Sequence, residues 1–484
     1  MHRGFEWRSS TRAIAIVVAV VLSFALVAMA QAPQAGSTGG GAAQAQAAPA
    51  TPQAGYVYFP DSNVAKPGQV HTTYVLFSKD GQKPVGMSAP TETMAIGPLA
   101  NIEEAETPQS LGCLYVKNPS SAGCIPNYSS GSGGPSAAGY GAIALVDAYD
   151  NPYAASDLAT FDGYWGLPAA SFTKVYANGN GSCTTPPADS GWSLESSMDI
   201  EYAHVFAPNA AIILVEACSA SWADLLYAEQ VAFNYIVTNF PTTGGQVSNS
   251  WQGGEFAGQI ADDSLFADFT YNWVNSYKPN ILAFASSGDY GFGVGYPSTN
   301  PWLISAGGTS ILRNSSTLKF ASEACWGGSG GGTSGVETYA TTFTGGNTGP
   351  WADFQYPIFG KGARVTPDMS FDADPASGAW VYSAYGIGGG HWGVVGGTSL
   401  SSPALAGIVN RANNRLGSVF LTPITSGGDW FSTWENNLLY SQLATNTAYK
   451  ANFYDVKTGS NGTAAKVSYD YCTGVGSPRG LLGK

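Results

Sequence analysis

Ile143-Ala-Leu-Val146 is a short, unbroken apolar run, and residues 151–165 follow it with apolar side chains at helical spacing. The same alternation returns downstream. Residues 194–206 read as a helix, Ala211-Ile-Ile-Leu-Val215 as the next buried strand, and residues 222–239 as a further helix. Residues 246–250 and 281–285 repeat the strand signal, with a helix between them. A strand that is apolar at successive positions has no face to give to water, so both of its faces must be covered. Short strands of this kind separated by helices predict an α/β fold, a parallel sheet with helices on both sides.

Upstream of that pattern the chain changes character. Arg3, Arg8 and Arg12 precede an uncharged run over residues 13–30 that ends Ala28-Met29-Ala30, a small-x-small cleavage pattern. Residues 1–30 are therefore expected to be a secretory signal and the mature chain extracellular. An uncleaved anchor facing outward is the alternative, since about 20 apolar residues span a membrane. Residues 31–54 hold only small or polar uncharged types and Pro, which predicts a disordered linker. Residues 55–139 are expected as a short, β-rich N-terminal appendage, on Tyr56-Val-Tyr-Phe59, Tyr74-Val-Leu-Phe77 and a Cys113 to Cys124 loop, and residues 140–484 as the main domain.

Twenty basic residues against 33 acidic ones give a net charge of −13, which argues against a nucleic-acid partner, and only 11% of residues are charged. A protein with few ion pairs loses little when its carboxylates protonate, so this composition suits acid. The six cysteines are an even number in a chain expected to be exported, which favours disulfides over metal or redox work. The spacing of Cys113 and Cys124 suggests a local loop closure, with Cys183 and Cys218, and Cys325 and Cys472, expected as the other pairs. Sequence alone does not determine that connectivity.

Three features carry chemistry. Gly396-Gly-Thr-Ser399-Leu-Ser-Ser-Pro403 is a glycine turn feeding a helix, with Ser399 in its first turn. Backbone N–H groups there favour developing negative charge, so Ser399 is a candidate nucleophile, an ordinary helix cap being the plain alternative. Of four histidines, His2 lies in the signal, His71 in the appendage, and His204 and His391 in no catalytic turn, so these last two are read as structural. Glu195 and Asp199 lie four apart on one helix and share a face; two carboxyls that close share a proton and make a base that works in acid. Asp289 follows a strand in Ser286-Ser-Gly-Asp289-Tyr-Gly291, where a protonated acid could donate to an oxyanion.

Together these residues resemble the sedolisins, or serine-carboxyl peptidases, over residues 141–480. The resemblance rests on Glu195-x-x-Met198-Asp199, Ser286-Ser-Gly-Asp289, Tyr296-Pro-Ser298, Ala306-Gly-Gly-Thr309, Ser329-Gly-Gly-Gly332, Pro367-Asp-Met-Ser370, Ala373-Asp-Pro375 and Gly397-Thr-Ser399-x-x-x-Pro403. Met198 stands where that family usually has Leu. The resemblance implies a subtilisin-like three-layer fold with a seven-stranded parallel sheet. It also implies serine-type endopeptidase activity in acid, or tripeptidyl release, with Ser399 as nucleophile, Glu195 as base, Asp199 as its partner and Asp289 as oxyanion donor. Substrate, a protein or peptide, would lie as an added strand beside Ser248-Asn-Ser250-Trp251, with Ser250 and Trp251 as binding residues.

The family's C-terminal calcium site is matched by the carboxylates of Asp455 and Asp470 and the carbonyls of Val456, Lys466 and Ser468, so the resemblance implies one calcium ion; relatives typically carry glycine at the places of Lys466 and Ser468. No full prodomain is recognisable before the match, and nothing points to a dedicated partner, so a monomer is expected. Two rival readings remain: a histidine-dependent subtilisin-type protease, and a catalytically silent exported binding protein on the same fold.

Overall fold

The computed structural model describes residues 56–78, 105–117, 124–126, 138–270, 281–338, 355–360, 362–387, 391–416, 434–443 and 446–484. The expected signal and linker lie outside them. In chain order the elements that frame the site are strands β1 (Tyr56–Tyr58), β2 (Val75–Ser78) and β3 (Ala142–Ala148), helix α1 (Ala154–Trp165), β4 (Ser171–Ala177), α2 (Ser190–Phe206), β5 (Ala211–Ala217) and α3 (Trp222–Asn239). Then come β6 (Gly245–Asn249), α4 (Gln259–Thr270), β7 (Ile281–Ser286), β8 (Leu303–Arg313), β9 (Phe320–Cys325), β10 (Met369–Asp372), β11 (Ala379–Tyr382), β12 (Trp392–Gly396) and α5 (Thr398–Leu416).

Seven strands run parallel in the order β4-β5-β3-β6-β7-β8-β10. The expected parallel sheet is present, and β9 adds an antiparallel edge to it. The long β8 makes this arrangement possible: its first part pairs with β7, its middle with β10, and its end, from Thr309, with β9.

The unbroken apolar strands divide their side chains between two cores. Ile143, Leu145, Ile212 and Leu214 pack on one side with Met198 and Ile200 of α2 and Leu400 and Ile408 of α5. Ala144, Val146, Ile213 and Val215 pack on the other with Leu225 and Phe233 of α3 and Phe266 of α4. The period-two alternation of a strand sends neighbours to opposite faces, and with helices on both sides every position is buried. Each fully buried Ile or Leu contributes about 1.5–3 kcal/mol relative to exposure.

Helix α2 begins earlier than its apolar pattern suggested, because Asp189 caps it by accepting from the Trp192 N–H at 3.0 Å. All three expected disulfides form, Cys113–Cys124, Cys183–Cys218 and Cys325–Cys472. Residues 56–78 pair with the main domain: β2 joins β12 antiparallel, in the four-stranded order β1-β2-β12-β11. Among the described residues, no helix is long and apolar enough to cross a membrane.

Candidate active site

The carboxyl ends of the central strands converge on the first turn of α5, the place where an open α/β sheet leaves backbone groups free for ligands. Gly397 makes the turn with φ 101°, a conformation that L side chains rarely adopt, and a Cβ there would stand 2.3 Å from the Thr73 carbonyl oxygen. Ser399 follows, fully buried.

Asp289, three residues beyond β7, is bound to this turn. Its Oδ1 accepts from the Thr398 N–H at 2.8 Å and from the Thr398 hydroxyl at 3.0 Å, and that hydroxyl in turn accepts from the Gly288 N–H at 2.9 Å. Oδ2 has no hydrogen-bond partner among the described residues. Burial pushes the Asp289 carboxyl up to about 8 against the pull of the Thr398 donors, so in acid it carries a proton that Oδ2 can donate.

The helix α2 supplies Glu195 and Asp199, both fully buried. The Ser250 hydroxyl, one residue past β6, donates to Asp199 Oδ1 at 2.9 Å and to the Ser399 carbonyl at 3.2 Å, while the Ser250 carbonyl accepts from Ser399 Oγ at 3.1 Å. Burial holds Glu195 well above the ordinary carboxylate range, and the Asp199 and Asp147 carboxyls push it further. Asp199 is raised by burial and then by Asp147, with Ser250 pulling it back. The Ser399 hydroxyl lies close enough to Glu195 to oppose its rise, yet neither Glu195 oxygen closes a well-formed hydrogen bond among the described residues. The hydroxyl is turned instead to Ser250 and Thr73.

Thus the structure brings Glu195, Asp199, Asp289 and Ser399 into one cluster, and adds two residues with roles the sequence did not assign. Asp147 at the end of β3 is fully buried, with neither oxygen partnered among the described residues, and burial pushes it up to about 8. Its only sequence signal is an acid closing an apolar strand. Thr73 is the other: its N–H donates to Ser399 Oγ at 3.2 Å and its hydroxyl lies 2.8 Å from the same atom. Ser250 sits in the carboxyl network, while Trp251 pairs by backbone with Thr72 and anchors its indole N–H on the Val146 carbonyl at 2.9 Å.

No histidine is among the hydrogen-bond partners of Ser399 in the described residues. His204 Nε2 meets the Pro168 carbonyl at 2.8 Å, His391 Nδ1 the Ile387 carbonyl at 3.1 Å, and His71 Nδ1 the Thr72 carbonyl at 3.0 Å.

At the C-terminal loop, Asp455 Oδ1 accepts from the Ser468 N–H at 2.8 Å and Asp470 Oδ2 from the Lys466 N–H at 3.3 Å, so the loop folds around both carboxylates. Among the described residues no group of three or more His, Cys, Asp or Glu could hold a metal, so an ion here would take most of its ligands from carbonyls and water. Two carboxylates with carbonyls fit calcium in kind. Lys457, 3.4 Å from Asp455, competes for one of those oxygens.

No family model matches the chain. Among curated proteins it is similar to kumamolisin of Bacillus sp. (strain MN-32), 28% identical over 362 residues, which covers 70% of this chain and 58% of kumamolisin. The chain therefore spans under two thirds of that relative's length. It is also similar to sedolisin of Pseudomonas sp. (strain 101), 28% identical over 196 residues covering 38% of this chain and 29% of sedolisin. Xanthomonalisin of Xanthomonas sp. (strain T-22) is 28% identical over 202 residues, covering 38% of this chain and 21% of that protein. Among solved structures, Pseudomonas sedolisin, a serine-carboxyl proteinase complexed with two molecules of pseudo-iodotyrostatin, matches with a TM-score of 0.57 at 22% identity, over 78% of this chain and 95% of that one. The resemblance to the sedolisins is borne out by these relatives, and the subtilisin-like α/β fold by the solved structure.

Proposed function

We propose that this relative of the sedolisins is an exported serine-carboxyl peptidase that works in acid, cutting peptide bonds of unfolded proteins or peptides through an acyl-enzyme on Ser399. The observation that carries the reading is the convergence of three buried carboxyl groups, those of Glu195, Asp199 and Asp289, on a serine that no described histidine approaches by hydrogen bond. Glu195 takes the proton of Ser399 as the hydroxyl adds to the substrate carbonyl, and returns it to the leaving amine. Asp199, held by Ser250, orients Glu195 and shares its proton, since two buried carboxyls this close do not both ionise easily. Asp289, protonated below about 8, donates from Oδ2 to the oxyanion alongside the Ser399 N–H.

Substrate would lie extended beside Ser250 and Trp251, read by main-chain hydrogen bonds, which favours broad side-chain selectivity. Asp455 and Asp470, with the carbonyls of Val456, Lys466 and Ser468, would hold a calcium ion whose role is to stiffen the C-terminal loop.

The test is hydrolysis of an acid-denatured protein from acid to neutral pH by the purified chain, beside Ser399→Ala and Glu195→Ala. Activity confined to acid and lost in both variants is expected. Activity that survives Glu195→Ala and is lost in His204→Ala or His391→Ala would replace this mechanism with a histidine base.

A further inference from the structure

Two glycines near the nucleophile close on a single side chain. A Cβ on Gly288 would stand 2.4 Å from Gln252 Nε2 and 2.7 Å from its Oε1, and a Cβ on Gly295 would stand 2.6 Å from the same Oε1. The Gln252 carboxamide therefore lies in a slot that only residues without side chains leave open. The far end of the slot is closed. Gly253 and Tyr296 bridge antiparallel with both hydrogen bonds at 2.9 Å, and Trp222 packs on Gly253 so closely that a Cβ there would stand 2.5 Å from its ring. Trp222 is held in turn by the rings of Trp251, Phe256 and Tyr296, so the wall behind the amide has no room to retreat.

Both walls of the slot reach the reacting serine. The carbonyl of Ser250, two residues before Gln252, accepts from Ser399 Oγ at 3.1 Å, and the Gly288 N–H donates to the Thr398 hydroxyl at 2.9 Å. An extended substrate laid beside Ser250 and Trp251 sends alternate side chains to opposite faces, and the side chain of the residue whose carbonyl meets Ser399 would fall between these walls. Thr73 marks the place: its carbonyl accepts from the Ser399 N–H at 2.9 Å, and its short side chain already reaches Ser286 Oγ at 2.6 Å. A longer side chain there would have to enter the slot, where Gln252 stands. Gln252 is 9% exposed, and its Oε1 has no partner among the described residues. That oxygen is the amide atom nearest the Gly295 position, at the deep end, so a substrate donor would reach it only by displacing the amide. What a substrate meets at Gln252 is bulk rather than a hydrogen-bonding group.

We propose that Gln252 sets the selectivity of the chain for the residue on the acyl side of the cut bond. By plugging the slot between Gly288 and Gly295, its side chain admits Gly, Ala, Ser or Thr there and turns larger side chains away. The inference rests on the peptidase reading, and it narrows one position of a selectivity otherwise set by main-chain contacts.

The experiment digests a mixture of peptides that differ only at that residue, in acid, with the full purified chain, with Gln252→Gly and with Gln252→Met, and follows each cut by mass spectrometry. The parent chain should cut after Ala, Ser and Thr about 10-fold or more faster than after Leu or Phe, a discrimination that pocket shape alone can supply. Gln252→Gly should raise kcat/KM after Leu and Phe by about 10-fold or more and change cutting after Ala little. Gln252→Met keeps the bulk without the amide and should keep the parent's preference; with the parent profile it decides the matter even where Gln252→Gly fails to fold. A parent chain that cuts after Leu or Phe as readily as after Ala overturns the inference and leaves the peptidase reading standing, as does an active Gln252→Gly chain with its preference unmoved. Loss of the preference in Gln252→Met would make the amide a hydrogen-bonding group and overturn the plug. A parent chain inert toward every peptide overturns both readings.

Discussion

Ser250 Oγ donates to Asp199 Oδ1 at 2.9 Å, which joins the chain leaving β6 to the carboxyl pair of α2. Asp199 Oδ2 has no partner among the described residues, so this hydroxyl is the hydrogen bond that fixes the Asp199 carboxyl. Ser250→Ala should lower kcat on the order of 10-fold or more, a fraction of what a general base contributes, with KM little changed. Steady-state kinetics on one peptide across acid pH would decide. A raised KM with kcat intact would place the Ser250 side chain among the substrate contacts instead.

Asp289 offers Oδ2 only while protonated, and its carboxyl is pushed up to about 8 by burial. In the proposed role it would present a negative charge to a developing oxyanion above that value, so its contribution to kcat should be lost as pH rises through about 8. Asp289→Asn keeps a donor at every pH and should retain more activity than Asp289→Ala, which should fall about 100-fold or more in kcat, the loss expected for an oxyanion donor. Equal losses in the two variants would sink the assignment.

The core stores protons. Burial pushes Asp147, Glu229, Asp289 and Glu435 each up to about 8, against about 4 in an unfolded chain. Between those values the folded state holds protons that the unfolded state has released, so stability falls as pH rises through that window. The expected slope is at most about 1.4 kcal/mol per pH unit for each group. Denaturant midpoints should be highest in acid and drop toward pH 8, and Glu229→Gln should flatten the drop. A midpoint that climbs from acid to neutral would contradict the picture.

Calcium at the C-terminal loop would stabilise the folded chain by mass action, about 2.7 kcal/mol when the ion is at 100 times its Kd. Chelation should lower the thermal midpoint by about 3 °C, with recovery on adding calcium back. In Asp470→Asn the midpoint should be low and insensitive to either treatment. A midpoint unmoved by chelator in the parent chain would remove the ion from the account.

The parts of this molecule that were readable in advance are those in which side chains carry the pattern. Ile143 to Val146 and Ala211 to Val215 announce strands buried on both faces because each position must find an apolar partner, and they form β3 and β5 as expected. Glu195 and Asp199 announce themselves by spacing. Asp147 does not: it is a single acid at the end of a strand, and only the sheet order, with β3 at its middle, reveals that it faces the pair on α2. Thr73 is less legible still, since it reaches Ser399 partly through its backbone, which every residue type possesses. The antiparallel β9 was not foreseen either, because its half-buried alternation, Phe320 to Cys325, lies in a glycine-rich region where turns dominate the signal.

The Cys325–Cys472 bridge closes a loop of 147 residues that contains β10, β11, β12 and the whole of α5. It also clips the end of β9 to the loop that carries Asp470, two residues from Cys472, and the Cys325 N–H donates to the Thr458 carbonyl at 2.8 Å beside it. The helix that carries Ser399 is therefore enclosed by a covalent ring that an oxidising compartment favours. In reducing surroundings the same polypeptide would have to gather that ring without its clasp, with only non-covalent contacts to bring the two ends of those 147 residues together.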